Sequence, residues 1–573
     1  MAAPKIVTGL FPSPRDHLQP EKQRVADVIV QTLAEFGVNT FYGIPGGAIS
    51  SVYDALIDAR GARVINTRHE TGAVFMAMGH SRVGGSLPAV LMTSGPGITN
   101  ALTGLAAAHA DGIPLIAIAG EVPRKNFGRG ALQEGSRYHL DVLGMVRSVT
   151  KFCAEVTNPR AAANLVRKAV QTALSGRQGP VFLSLPLDVS NELVAPSLTS
   201  TRVSTQFELD EDALDQAAEA LQSAQRGLIL VGSGARHPEA GRMVGSIASM
   251  LQMPVATTPK AKGTFPESDP LSLGVFGLGG HPSASEYLEA GIDTLLCVGC
   301  GLGETGTNSW SPLLQASDAF IQIDIDAAQI GKNYHVDHGL VGPANDVLRE
   351  INARLRRRPR PAPAGGVRYH EPEAMEAETS PLKPARILRM LQDRMPDETL
   401  FASDIGEHTI FALHYLRIDR PDSFIVNTGL GSMGSGIGSA IGAKIAAPRR
   451  PVVAICGDFG FQMNGMEIAT CVQDRVGVVF AVFNDARMRM VEGGLQRIFG
   501  RAGQMDGPRV DFAALARSVG ARGYTIRCEA DLEAIPQEHL TGDVPCVLDF
   551  EVDPRSAFPV NGRVAQIKNF SSQ

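Results

Sequence analysis

The segment PVVAICGDFGFQMNGME, residues 451–467, joins an apolar run to a turn that contains an aspartate between glycines. The apolar run is typical of a buried parallel strand, and the residues after the turn favour a helix. A second apolar run, VVFAVFND, ends at Asp485, which lies 27 positions after Asp458. Because the carboxyl ends of neighbouring parallel strands meet at one edge of a sheet, the two carboxylates can face one hard cation such as Mg²⁺.

The glycines beside Asp458 indicate a second property of this turn. Gly457 and Gly460 leave backbone N–H groups open to a phosphate at the start of the predicted helix. Taken alone, a Gly-Asp pair is also typical of an ordinary structural turn. The second carboxylate after another strand favours a site for metal and phosphate.

Similar apolar runs, each bounded by glycine, proline or polar residues, recur through the whole chain and read as buried strands. They alternate with helical patterns such as EKQRVADVIVQTLAEFG, which is amphipathic and is stopped by Gly37. The pattern predicts an α/β fold of three doubly wound domains with mostly parallel sheets. The other predicted strands are VNTFYGI, LPAVLMT, PLIAIAG and GPVFLSLP, then RGLILVGSG, MPVATT, DTLLCVG and AFIQIDID, then TLFASDI, SFIVNTG and PCVLDFEV.

The segment RRRPRPAPAGGVRYHEPEAMEAETSP is rich in proline, glycine and charge, and it indicates a linker between the second and third domains. A chain of 573 residues is too long for a single core, which agrees with several domains. We predict a flexible N-terminus at 1–21, domains at 22–190, 200–355 and 381–560, a linker at 356–380 and a tail at 561–573.

Composition limits the class of protein. The net charge of −6 and the lack of a long basic block argue against nucleic acid as a partner. No uninterrupted apolar stretch of about 18 residues predicts a membrane span, and the N-terminus lacks the apolar core of a signal peptide. The seven cysteines are scattered and odd in number, so we expect a reducing cytoplasm. Cys297 and Cys300 form a CxxC that reads as part of a buried strand.

The segment from Gly457 to Asp485 resembles the signature of thiamine-diphosphate-dependent enzymes, a GDG followed further along by NN. Over nearly the whole chain the sequence resembles the acetolactate synthase large-subunit branch of that family. Phe459 stands where the signature has glycine, and Asp485 stands where it has the second asparagine. The resemblance implies thiamine diphosphate and Mg²⁺ as cofactors, with Asp458 and Asp485 as side-chain ligands and Arg487 as a backbone-carbonyl ligand.

In the first domain the resemblance assigns a catalytic role to Glu70 in RHETGA, a position that would otherwise be typical of a helix cap or a salt bridge. The family glutamate hydrogen-bonds N1′ of the aminopyrimidine and stabilises the imino tautomer, whose 4′-nitrogen takes the proton from C2. The resemblance also implies that Gly46 and Gly47 lie near the reacting centre and that Gln133, in ALQEGS, lies at the active site.

In the last domain the resemblance implies that Gly406 and His408, in DIGEHT, touch the diphosphate. In TGLGSMGSGIG the carbonyl of Gly431 would accept from the 4′-amino group, and Met433 would be the apolar wedge that bends the cofactor. Otherwise a glycine-rich helix start is a packing device and a lone methionine is core. In the family, the pyrimidine-binding domain of one subunit meets the diphosphate-binding domain of another, which implies a homodimer or tetramer.

Two segments depart from biosynthetic acetolactate synthases. VGCGLGETGTN, residues 298–308, lacks the arginines of the FAD-binding stretch, so we do not expect FAD. MRMVEGGLQRIFGR replaces an arginine–glutamine–tryptophan run that shapes the pocket for the second substrate. We predict a changed acceptor pocket, although these residues could equally just pack a helix. The predicted pocket residues are Met488, Met490, Val491, Glu492 and Gly493.

The resemblance implies a carboligase that decarboxylates pyruvate or a similar 2-oxoacid, or cleaves a diketone, and transfers the acyl unit to a second carbonyl compound. The product would be acetolactate or an acyloin. The alternatives are a 2-oxoacid decarboxylase or diketone-cleaving enzyme without coupling, and a non-catalytic regulatory protein on the same fold. A regulatory protein could dispense with Glu70 and with the metal carboxylates, yet all three are present.

Overall fold

The computed structural model describes residues 22–195, 207–358 and 365–556. These residues form three domains, each built on a six-stranded parallel sheet with helices around it. The fold-class prediction is therefore confirmed. The predicted N-terminus at 1–21 and tail at 561–573 lie outside the described residues, as does part of the predicted linker. The predicted domain boundaries stay predictions.

The first domain contains β1 (Gln23–Arg24), α1 (Val25–Glu35), β2 (Thr40–Gly43), α2 (Ser50–Asp58), β3 (Arg63–Asn66), α3 (Glu70–Gly84), β4 (Ala89–Met92), α4 (Pro96–Asp111), β5 (Ile116–Glu121), α5 (Val142–Arg147), β6 (Phe152–Glu155), α6 (Ala162–Leu174), β7 (Val181–Pro186), α7 (Leu187–Ser190) and β8 (Leu193–Val194). Its sheet runs in the order β3-β2-β4-β5-β7-β6, and β1 pairs with β8 in a separate antiparallel ribbon.

The middle domain contains α8 (Glu211–Ser223), β9 (Gly227–Val231), α9 (Pro238–Leu251), β10 (Val255–Thr257), β11 (Ser272–Val275), α10 (Pro282–Glu289), β12 (Thr294–Val298), β13 (Ala319–Asp324), β14 (His338–Val341) and α11 (Ala344–Arg354). Its strand order is β11-β10-β9-β12-β13-β14, a doubly wound arrangement that reverses beside β9. Cys297 lies in β12 and is fully buried, as its sequence context predicts.

The last domain contains α12 (Pro384–Arg394), β15 (Leu400–Ser403), α13 (Glu407–Tyr415), β16 (Phe424–Val426), α14 (Ser435–Ala446), β17 (Val452–Gly457), α15 (Asp458–Asn464), α16 (Ile468–Asp474), β18 (Val479–Asn484), α17 (Arg489–Phe499), α18 (Phe512–Ser518), β19 (Arg522–Ile526), α19 (Glu529–Glu533), α20 (Gln537–Thr541) and β20 (Cys546–Glu551). Its order, β16-β15-β17-β18-β20-β19, repeats that of the first domain.

The first and last domains share one continuous apolar core. At its centre α3 packs against α14 so closely that glycine is required. A Cβ atom on Gly442 would lie 1.7 Å from the carbonyl oxygen of Met76, and one on Gly79 would lie 1.9 Å from that of Ser439. Among the described residues, no helix has the length and apolar character of a membrane span.

Candidate active site

Asp458 and Asp485 lie at the ends of two adjacent parallel strands, directly after β17 and β18. Asp458 accepts hydrogen bonds on both oxygens, from the N–H of Phe459 at 2.8 Å and from the N–H of Ala486 at 2.7 Å. Asp485 Oδ1 accepts from the N–H of Arg487 at 3.2 Å. Ala486 has a φ of 57°, a left-handed conformation that is costly for alanine and is typical of functional segments.

The electrostatics of this pair suit a divalent cation. Burial and the nearby charge of Asp458 raise the pKa of Asp485 to about 6, and burial also raises the pKa of Asp458. Two carboxylates that hinder each other's ionisation are stabilised when a cation lies between them. Among the described residues, no group of three or more acidic, histidine or cysteine side chains is placed to hold a metal. Mg²⁺ commonly needs only one or two carboxylates when a phosphate completes its shell.

A cavity of about 250 Å³ opens beside the two aspartates. All the residues that line it come from the last domain or the segments flanking it. Most of the residues predicted from the sequence for this domain lie in its wall: Gly406, His408, Gly431, Met433, Gly457, Asp458, Phe459, Gly460, Asp485, Arg487, Met488, Met490 and Val491. The cavity is polar at the strand ends and apolar around the methionines.

The polar end fits a bound phosphate group. A Cβ on Gly406 would lie 2.6 Å from the imidazole ring of His408, and one on Gly457 would lie 3.2 Å from it, so the ring packs directly against both glycines. His408 Nε2 is buried without a hydrogen-bond partner among the described residues. Burial lowers the pKa of His408 to about 4, which keeps the ring neutral. A buried polar atom with no protein partner marks a place for a bound group.

Phe459, which departs from the family signature, is accommodated by a second glycine. Its ring is so close to Gly507 that a Cβ there would lie 2.7 Å from the ring edge. The backbone N–H of Phe459 still donates a hydrogen bond to the carboxylate of Asp458. The aromatic side chain therefore changes the wall of the cavity without changing how the aspartate is held.

The structure places three of the five residues predicted for the acceptor pocket in the cavity wall. Met488, Met490 and Val491 line the cavity at the start of α17, whereas Glu492 and Gly493 lie further along the helix and are not in its wall. Glu492 instead pairs with the side chain of Arg487 at 2.9 Å, and Arg487 also pairs with Asp506 at 2.8 Å. The helix turns these two positions away from the cavity that holds the methionines.

Glu70, the predicted proton-transfer residue, begins α3 and is 7% exposed. Asn100 Nδ2 donates to its Oε2 at 3.0 Å, and a Cβ on Gly97 would lie 3.5 Å from its Oε1. Asn100 lies in GPGITNA, residues 95–101, but nothing in the sequence singled it out as a partner of Glu70.

The other predicted residues of the first domain lie around the loop that joins β4 to α4. A Cβ on Gly46 would lie 2.6 Å from the hydroxyl of Thr93, and one on Gly95 would lie 3.1 Å from Gln133. Gly47 has open space around it. Gln133 is exposed and has a φ of 63°. The first domain thus carries one half of the predicted site beyond the carboxyl ends of its strands.

The two halves do not meet within the described chain, because no first-domain residue lines the cavity. Large apolar side chains are exposed in the segments that carry both halves. Leu132, next to Gln133, is 88% exposed, and Met463, one turn after Asp458, is 63% exposed. Leu430 and Met466 are exposed as well. Exposed apolar groups of this kind are typical of a surface that another chain covers.

Three further residues of the site escaped the sequence analysis. Glu407 and Arg489 line the cavity and lie 3.3 Å apart, and burial raises the pKa of Glu407 to about 7. Asp404 is fully buried and accepts from the N–H groups of Gly434 and Gly436 at 2.8 and 3.0 Å, which fixes the start of α14. Asp404 directly follows β15, so the strand-end rule that found Asp458 could have found it.

A second cavity, of about 640 Å³, lies between the first and middle domains. Gly299 and Gly301 of the segment 298–308 are in its wall, together with Arg82, Arg177 and Arg236 from other segments. The expectation of no FAD rested on the lack of arginine in 298–308, but distant segments supply positive charge to this cavity. The expectation stays a prediction.

Three family models match the chain in order. They are the N-terminal TPP binding domain of thiamine pyrophosphate enzymes at residues 23–140, the central domain at 214–351 and the C-terminal TPP binding domain at 404–550. The matches fall on the three domains seen in the structure.

Similar proteins extend the match to nearly full length. A probable acetolactate synthase large subunit of Methanocaldococcus jannaschii is 32% identical over 95% of this chain and 94% of its own. The acetolactate synthase isozyme 2 large subunit of Escherichia coli is 31% identical over 92% of this chain and 95% of its own. A solved benzoylformate decarboxylase from Polynucleobacter necessarius has the same fold, with a TM-score of 0.84, 22% identity and coverage of 94% and 100%.

Proposed function

The chain belongs to the thiamine pyrophosphate enzyme family, in the branch of the acetolactate synthase large subunits, and we propose that it is a carboligase. In this proposal it decarboxylates pyruvate or a similar 2-oxoacid, or cleaves a diketone, and transfers the acyl unit to a second carbonyl compound. The product is acetolactate or an acyloin. The observation that carries the proposal is the cavity in which two carboxylates at adjacent strand ends adjoin an apolar wall.

When bound, thiamine diphosphate supplies the electron sink for breaking and making the carbon–carbon bond. We propose that Asp458 and Asp485 hold Mg²⁺ through their carboxylates and that Arg487 adds its carbonyl oxygen. Gly406 and His408 border the place of the diphosphate. This set fits the pair of buried carboxylates, the two glycines against which the His408 ring packs, and the His408 nitrogen that has no partner among the described residues.

Glu70 is the proposed acid–base group. Asn100 binds its Oε2, so Oε1 remains for N1′ of the pyrimidine ring, where the carboxyl holds and returns a proton. Its burial keeps bulk water from this exchange. Met433 and Gly431 border the cavity where the ring would bend, and Met488, Met490 and Val491 border the place of the acceptor. Methionine side chains adapt their shape easily and suit acceptors of different outline.

We propose a homo-oligomer, a dimer or a tetramer, in which the first domain of one subunit covers the cavity of the other. The support is that Glu70 and the cavity lie in separate halves of the described chain and that apolar side chains are exposed beside both. We place the enzyme in the cytoplasm, since all seven cysteines are free.

Product identification tests the proposal. The apoenzyme is incubated with thiamine diphosphate, Mg²⁺, pyruvate and a panel of aldehydes, ketones and diketones. The products are then separated and identified by mass spectrometry. A coupled product supports the carboligase. Free aldehyde or acid as the sole product, with every acceptor, would instead indicate a decarboxylase or a diketone-cleaving enzyme.

A further inference from the structure

Glu467 is a buried carboxylate of the last domain that contacts the first domain. It closes the segment 457–467 and is 1% exposed. Its Oε1 accepts from the backbone N–H of His69 at 3.0 Å, and both of its oxygens accept from the N–H of Arg68 at 3.1 Å. Thr470 Oγ1 donates to Oε2 at 2.8 Å. The carboxylate is thus committed to the two backbone N–H groups that immediately precede Glu70.

These N–H groups lie at the start of α3, whose first residue is Glu70. The first N–H groups of a helix have no partner within the helix, and a negative charge is favoured there by the helix dipole. Glu467 therefore fixes the backbone from which the side chain of Glu70 projects. Asn100 then holds the carboxylate of Glu70 itself.

Gly72 shows how closely Glu467 is fitted. A Cβ on Gly72 would lie 2.3 Å from Glu467 Oε1, so any side chain at this position would displace the carboxylate. Neighbouring contacts tie the same parts together, since Thr470 Oγ1 donates to the carbonyl of Asn66 at 3.3 Å and Arg68 donates to Gln473 at 2.9 Å. These hydrogen bonds thus hold the end of the segment 457–467 and the residues that follow it against the start of α3.

We propose that Glu467 is a positioning residue that sets the place of Glu70 for proton exchange with the pyrimidine ring. The inference rests on the proposed function, because it presumes that Glu70 is the acid–base group. Glu467 acts on Glu70 of its own chain. This holds whether that Glu70 faces the cavity of its own subunit or the cavity of a partner subunit. It reaches the chemistry only through the backbone of Arg68 and His69.

The test measures a step that needs no substrate: the rate at which the C2 proton of bound thiamine diphosphate exchanges with solvent deuterium, followed by NMR on the holoenzyme. Glu467→Ala is expected to slow this exchange about 10²-fold, the scale for displacing a reacting group by about 1 Å. Glu467→Gln keeps a carbonyl oxygen for both N–H groups and should restore most of the rate. The affinity for thiamine diphosphate should stay near that of the wild type, because Glu467 is not in the wall of the cavity.

Two further variants separate positioning from general damage. If Glu467 acts through Glu70, the double variant Glu70→Gln/Glu467→Ala exchanges no more slowly than Glu70→Gln alone. The matched control is Asp293→Ala. In the middle domain Asp293 Oδ2 likewise accepts from two consecutive N–H groups, of Gln225 and Arg226, at 2.7 and 2.6 Å. This control should exchange at the wild-type rate.

Wild-type exchange in Glu467→Ala, or a loss that multiplies with that of Glu70→Gln, would overturn the inference. If Glu467→Ala does not fold, Gly72→Ala replaces it, since its Cβ displaces the carboxylate while residue 467 remains glutamate. Wild-type exchange in that variant would overturn the inference equally. Failure of the proposed carboligase looks different, because the wild-type protein would then exchange the C2 proton but form no coupled product. A wild-type protein that did not bind thiamine diphosphate would overturn the role of Glu70 and the inference with it.

Discussion

Replacing Asp458 by asparagine should weaken cofactor binding more than the same change at Asp485. Asp458 accepts a backbone N–H on each oxygen, at 2.8 and 2.7 Å. Asparagine has one acceptor oxygen, so its NH₂ group must face one of these donors. Asp485 accepts only on Oδ1, and its Oδ2 lies 3.7 Å from Arg489 Nε. Asparagine can therefore keep the one hydrogen bond that Asp485 accepts from the backbone.

The expected size of the difference follows from this geometry. Both substitutions remove one negative charge from the metal site, so the charge contributes similarly to both. Asp458→Asn also leaves a partly buried N–H without an acceptor, which costs about 1–3 kcal/mol once the cofactor holds the loop in place, whereas the loop of the free apoprotein can relax. At about 1.4 kcal/mol for each factor of ten, Asp458→Asn should bind thiamine diphosphate about 5- to 140-fold more weakly than Asp485→Asn.

The assay is a calorimetric titration of each apoprotein with thiamine diphosphate at saturating Mg²⁺. Circular dichroism and the melting temperature of each apoprotein show whether the fold is kept. If Asp485→Asn binds the cofactor as weakly as Asp458→Asn, or more weakly, the roles assigned to the two carboxylates are wrong.

Four other outcomes are expected. Glu70→Gln should lower turnover by about 10²–10⁴-fold with the melting temperature unchanged, because glutamine cannot trade a proton with N1′; a wild-type rate at saturating cofactor would refute the assignment. Met490→Trp should increase the discrimination against bulky acceptors by about 1–3 kcal/mol, while pyruvate decarboxylation with a dye acceptor is retained. Gly493 lies outside the cavity wall, so Gly493→Trp should change this discrimination less. Equal losses for all acceptors would contradict the pocket. The purified protein should carry no stoichiometric FAD, and flavin absorbance near one per subunit would reverse that expectation. Lys262→Met should lower the free energy of unfolding in urea by about 3–5 kcal/mol. The reason is that Lys262 Nζ lies 2.5 Å from Glu267 Oε1, so the change leaves the Glu267 carboxylate buried without its partner. An unchanged urea midpoint would mean that the ion pair contributes little.

Sequence alone determined the features that depend on neighbouring residues. Central strands such as β12, β17 and β18 are buried on both faces, so they read as continuous apolar runs. Asp458 and Asp485 could be paired from the sequence because each directly follows such a strand. The role of Glu70, in contrast, came from the family resemblance, since a glutamate at a helix start has several ordinary explanations.

Five of the six strands at the edges of the six-stranded sheets were not predicted; the sixth, β16, was. β3, β6, β11, β14 and β19 were all missed, and each is the outermost strand of its sheet. All of them except β11 are only partly buried, so their sequences lack a continuous apolar run. The sequence pattern reports burial, and the four partly buried strands have too little of it, whereas the buried edge strand β16 was predicted.

Only the tertiary structure decided which distant residues meet. The hydrogen bond between Glu467 and the backbone of Arg68 spans 399 residues, and no local pattern encodes such a contact. The turn of α17 separates Met490 from Gly493 and keeps one of them in the cavity wall. Side-chain chemistry and strand burial are local and can be read along the chain, whereas the partners of Glu70 and the wall of the cavity depend on how three domains pack together.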